Sequence, residues 1–144
     1  VADLDIDGAT DIGADLVDAD LFIVDDGAGG TNRKVAASRI KTYIGGGTQW
    51  QAVKTANYTA SAGQGVFANT TSGSFTVTLP AGTLGDEVTI VDYAGTFDSN
   101  ALTVAANGSE KIFASTDDLT VSTERAAFTL VYTDSTQGWL FKND

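Results

Sequence analysis

Residues 75–79 read FTVTL, residues 86–93 DEVTIVDY, residues 102–105 LTVA and residues 128–132 FTLVY. In each run apolar residues alternate with polar or small ones, the period-two pattern of a β-strand with one covered face. Phe75, Val77 and Leu79 fall on one side of a strand, and Phe128, Leu130 and Tyr132 on one side of another. Gly, Asn, Asp or Ser closes each run, as turn chemistry requires. Working outward, the same reasoning predicts strands near 49–54, 65–68, 74–79, 87–92, 101–105, 110–114, 119–122, 126–132 and 138–142. Starts roughly ten residues apart are the spacing of an antiparallel sandwich or barrel. The expectation is an all-β head. Asn107-Gly108 signals a hairpin between two of these strands. Pro80, the sole proline, fits the end of the strand FTVTL.

Upstream the composition changes. Residues 1–20 are rich in Asp and Gly, and Leu4 and Ile6 alternate with Asp3, Asp5 and Asp7 as in an extended arm. LFIV at 21–24 reads as a strand, DDGAGGTN at 25–32 as a turn, and 33–37 as the returning strand. Ser38 is placed to cap a helix of about two turns, with Ile40, Tyr43 and Ile44 on its covered side. So short a helix must lean on a hairpin or a neighbouring subunit. Gly45-Gly46-Gly47 then breaks the chain. The expected organisation is an arm, hairpin and helix over 1–44, a glycine hinge at 45–48 and a β domain over 49–144.

The chain has 144 residues and no Cys, His or Met. Cysteine/histidine zinc sites, thiol nucleophiles, Ser-His-Asp triads and histidine proton shuttles are therefore impossible within it. A glycosidase-like carboxylate pair remains available, but nothing else in the chain marks an enzyme, and no catalytic residue, cofactor or metal ligand is expected. The formal charge is −11, and nine aspartates fall within 3–26 before Arg33, Lys34, Arg39 and Lys41 arrive together. That field repels nucleic acid. No run of about 18 apolar residues suits a membrane span, and no charged-then-apolar leader is seen at the start.

Three motifs invite chemistry and fall short. Asp3, Asp5, Asp7 and Gly8 resemble the first half of a calcium loop, but Ala14 stands where the closing bidentate Glu belongs. GAGGTNRK at 27–34 lacks phosphate-loop spacing and reads as a turn. Trp50 or Trp139 would suit a sugar if exposed on a concave face, yet Trp139 is in phase with Phe141 and is expected to be buried.

Two stretches, DADLFIVDDGAGGTNRKVAASRIKTYI at 18–44 and the β-rich run from Phe75 to Phe141, resemble virion structural proteins of tailed bacteriophages. The first is similar to a strand–turn–strand–helix segment of tail-fibre and appendage proteins. The second is similar to β modules at fibre ends and in small virion proteins. Without a shaft or heptads, the likeness implies a capsid decoration (cement) protein. It would be a homotrimer on the outer surface of the major capsid protein shell, assembled in the host cytoplasm without nucleic acid or membrane partners. The expected subunit or shell contacts are Leu4, Ile6, Leu21, Ile23, Arg33, Arg39, Ile40, Tyr43 and Ile44. Rival readings are a tail-fibre module recognising a host glycan, a carboxylate-dependent glycan-degrading enzyme and a calcium-binding β domain.

Overall fold

The structure, a computed structural model, describes residues 15–24, 33–44 and 47–143. It divides into two units, Val1–Gly46 and Gly47–Asp144, within the glycine run.

In the first unit, β1 (Leu21–Val24) pairs antiparallel with β2 (Arg33–Ala36), placing Phe22 opposite Val35 and Ile23 opposite Lys34. Helix α1 (Ala37–Ile44) follows directly. Its first N–H groups are met by main chain, Ala37 N–H donating to the Asp20 carbonyl at 2.8 Å and Ser38 N–H to that of Asp18 at 3.3 Å. The helix begins one residue before Ser38, which therefore lies inside its first turn and is not the cap. Among residues 15–23 and 33–40 of this unit, none is buried.

The second unit contains β3 (Gln49–Trp50), β4 (Tyr58–Thr59), β5 (Gln64–Ala68), β6 (Thr76–Thr78), β7 (Glu87–Asp92), β8 (Leu102–Ala105), β9 (Leu119–Val121), β10 (Ala127–Tyr132) and β11 (Trp139–Asn143). They form a five-stranded sheet, β11-β10-β7-β5-β3, and a four-stranded sheet, β4-β6-β8-β9. The all-β reading holds, but both sheets are mixed. From β3 to β8 the chain alternates between them, and each strand lies parallel to the preceding strand of its own sheet. The pairing follows from the path. A chain that crosses to the opposite sheet and returns must come back in its original direction, so three coils stack as parallel ladders, each covering the one before. Antiparallel pairs close the far side, β9 on β8 and then β10 and β11 beyond β7.

The inner faces of both sheets supply one core. Val66, Val88, Ile90, Leu130 and Trp139 come from the larger sheet, and Val77, Leu102 and Val104 from the smaller, all fully buried. Each such aliphatic side chain contributes roughly 1.5–3 kcal/mol by leaving water. Trp139 is buried as its alternation predicts.

Two sequence expectations give way to loop geometry. Residues 110–114 do not form a strand. Ile112 and Ser115 instead bridge each other across a tight turn whose central residues, Phe113 and Ala114, have φ of 52° and 63°. Asn107-Gly108 turns the chain inside the long β8–β9 connection, with Gly108 at φ 57°, and does not join two strands directly. The predicted strand at 49–54 shortens to Gln49–Trp50, and the pair Tyr58–Thr59 was not foreseen.

Candidate functional site

The most distinctive surface of the second unit is the outer face of its five-stranded sheet. Alternation sends Val88 and Ile90 into the core and Glu87, Thr89 and Val91 outward. Register then aligns outward residues across the sheet. Trp50 stands beside Gly65, which is opposite Thr89 and then Thr129; Phe67 is opposite Val91 and then Ala127; Val131 is opposite Leu140. Trp50 is 49% exposed and stacks on Phe67 with ring centroids 4.6 Å apart. Only glycine admits that pose, because a Cβ on Gly65 would lie 2.4 Å from Trp50 Cε3. Tyr93, two residues beyond Val91, is 53% exposed. The hydroxyls of Thr89 and Thr129 bond each other at 2.9 Å, and Lys142 Nζ meets Glu87 Oε1 at 2.8 Å at one margin.

The outer face of the four-stranded sheet is different in kind. Thr59 is opposite Thr78, and Thr76 is opposite Thr103 and then Thr120. That face is a threonine surface suited to water. The larger sheet therefore carries apolar side chains on both faces, and the smaller on one. A sheet with two apolar faces is ordinarily covered on both.

The expected contact residues fall in the first unit. Leu21 and Ile23 project from one side of β1 and are 59% and 66% exposed. Arg33 and Arg39 are exposed, on β2 and α1, and Ile40 is half-buried. Leu4 and Ile6, like the calcium-loop half motif and the turn at 25–32, lie outside the described residues, as do the side chains of Tyr43 and Ile44. Sequence reasoning missed Phe67, Val91, Tyr93 and Leu140. The available signal was GVFA, TIV, TLVY and WLF, where apolar residues occupy both parities of a strand.

Among the described residues, no three acidic side chains gather closely enough to hold a metal ion, and no helix is long and apolar enough to cross a membrane. A shallow depression of about 440 Å³ lies between Thr55–Asn57 and Ser72–Phe75. Its lining has no ionisable group, and Asn57 Oδ1 is already engaged by the Thr76 N–H at 2.9 Å.

The one buried carboxylate among the described residues, Asp92, serves the fold. Its Oδ1 accepts the N–H groups of Gly95 at 2.9 Å and Thr96 at 3.2 Å, and its Oδ2 those of Phe97 at 3.2 Å and Arg125 at 3.0 Å. Burial alone raises its pKa, but these four donors outweigh that and hold it below the ordinary aspartate value. A carboxylate so engaged is not placed to carry protons. Glu110 likewise joins loops, accepting Gly82 N–H at 2.9 Å and Trp139 Nε1–H at 3.4 Å.

No protein-family model matches the chain, and no curated protein is similar to it.

Proposed function

We propose that this protein is a structural component of a tailed-bacteriophage particle, a capsid decoration (cement) protein working as a homotrimer on the outer surface of the head. It acts by adhesion. Contacts made only in the assembled shell stabilise that shell by mass action. The observation that carries the reading is the apolar outer face of the five-stranded sheet, an adhesive surface on a unit that already has a complete core of its own. The likeness of 18–44 and of Phe75 to Phe141 to phage virion proteins supports the same conclusion, as do Leu21 and Ile23 exposed on the hairpin. The major capsid protein is the partner this reading requires.

The exposed Trp50 favours a second reading, a tail-fibre module that stacks a host sugar on its indole. Antibody labelling of intact particles separates the two. Signal distributed over the head supports the cement role, and signal confined to the tail tip refutes it. Turnover of host polysaccharide that is lost when a head carboxylate is neutralised would replace both with an enzyme.

A further inference from the structure

We infer that Asn107 is a site of spontaneous covalent modification in the folded protein. The main-chain nitrogen of Gly108 closes on the Asn107 carboxamide, and water opens the resulting ring to aspartate and isoaspartate. Nothing in this chemistry depends on the particle assignment, so the two can fail separately.

The reaction balances with water as the only co-reactant. The Gly108 nitrogen gives up its proton and bonds to Asn107 Cγ. The side-chain nitrogen leaves as ammonia, and a five-membered succinimide remains. Water then breaks one of the two bonds from the ring nitrogen to a carbonyl carbon. Breaking the bond to Cγ gives aspartate. Breaking the bond to the main-chain carbonyl gives isoaspartate, whose backbone runs through the side chain and is one methylene longer.

Three conditions for ring closure meet at this pair. The nucleophile is open, because Gly108 has no Cβ to shield its nitrogen and no group among the described residues accepts its N–H. The electrophile is open as well, since Asn107 is exposed and its carboxamide bonds to nothing among the described residues. The backbone is lightly held. Only one main-chain hydrogen bond closes the turn, from Glu110 N–H to the Asn107 carbonyl at 3.0 Å. Gly108, at φ 57°, takes the first central position, and Ser109 after it has no positive φ, as in a type II′ turn. Glycine turns through the conformations that closure demands with the least steric resistance.

Other asparagines lack these conditions. Asn57 Oδ1 accepts the Thr76 N–H at 2.9 Å, and Asn69 Oδ1 accepts the N–H and hydroxyl of Thr71 at 3.0 and 2.6 Å. Tyr58, Thr70 and Ala101, which follow Asn57, Asn69 and Asn100, each carry a Cβ beside the attacking nitrogen. Conversion at Asn107 replaces a neutral amide with a carboxylate and takes the chain one negative charge beyond −11. It falls three residues before Glu110, whose side chain holds the Gly82 N–H at 2.9 Å and the Trp139 indole N–H at 3.4 Å.

Residue-resolved mass spectrometry of the folded full chain, incubated at neutral and mildly alkaline pH, tests this. Asn107 should gain the mass of an amide exchanged for an acid, faster at the higher pH, because base removes the Gly108 proton. The products should include isoaspartate, identified by electron-transfer fragmentation. Asn107→Gln keeps the amide but moves it one methylene away, so conversion should be lost while the near-UV signal of buried Trp139 stays unchanged. A parallel incubation in urea gives the rate for the unfolded pair. A folded chain still intact at Asn107 when the unfolded chain has converted overturns the inference. So does aspartate formed without isoaspartate, or conversion at Asn57, Asn69 or Asn100 as fast as at Asn107.

Discussion

Replacing Asp92 should cost this protein more stability than any other single polar substitution among the described residues. The side chain is 3% exposed and collects four main-chain N–H groups, from Gly95, Thr96, Phe97 and Arg125. Those donors come from two separated segments, the turn after β7 and the turn before β10, so one carboxylate fastens both. In Asp92→Ala, the N–H of Phe97 is left enclosed, while those of Gly95, Thr96 and Arg125 keep some access to water. An enclosed orphan donor costs roughly 1–3 kcal/mol, and losing three bonds that water partly replaces adds about 1–2 kcal/mol, which puts the loss at about 2–5 kcal/mol. Against a typical total of roughly 5–15 kcal/mol that is severe. Asp92→Asn should follow closely, because whichever way the amide turns, its NH2 confronts two donors.

Acid should produce a matching effect. The folded pKa of Asp92 lies below its ordinary value. Its contribution is therefore complete above about pH 4 and is lost as the pH falls through the lowered folded value. Urea unfolding followed by the near-UV signal of Trp139, at neutral pH and on acidification, checks both. At neutral pH the midpoint should drop sharply in either variant. The wild type should lose stability toward low pH by an amount that Asp92→Asn does not share. An Asn variant within about 0.5 kcal/mol of wild type at neutral pH, the ordinary range for uninvolved surface changes, would refute the reasoning.

Four further outcomes follow from particular contacts. Gly138→Ala should cost about 3 kcal/mol or more by chemical denaturation, since its Cβ would sit on the Lys111 carbonyl oxygen at a residue with φ of 73°. Ala114→Gly should stabilise by about 1 kcal/mol, because φ of 63° is a conformation that alanine resists; a lower melting temperature would contradict this. Leu130→Ala should cost about 2–5 kcal/mol, measured in the same way, by opening a cavity in a fully buried site. Gly65→Ala should displace the indole of Trp50 from Phe67 and red-shift its emission, without matching Leu130→Ala in lost stability.

The strands were legible because alternation is a local property. Val88 and Ile90, Leu102 and Val104, and Phe128 and Leu130 announce their inward faces by spacing alone. Pairing was not legible. The partner of Val66 is Ile90, a full coil away, and no local signal distinguishes a chain that wraps between two sheets from one that folds back in hairpins. Phe113 misled for a related reason. Its neighbours KIFA look like a strand, but Ile112 and Ser115 hydrogen-bond each other and force the two residues between them into a left-handed turn. The apolar outer face of the five-stranded sheet was half visible. Trp50 stands out in the sequence as a tryptophan that would suit a sugar if exposed, whereas Phe67, Val91 and Leu140 read as ordinary members of apolar runs. Only the register of neighbouring strands gathers them on one surface.

The central claim is that this protein works by adhesion within a particle. The most direct measurement is the number of copies of the chain retained by purified phage after extensive washing. The account predicts a fixed, high copy number in a regular ratio to the major capsid protein. A chain recovered only from the soluble fraction of infected cells, and absent from washed particles, would contradict it.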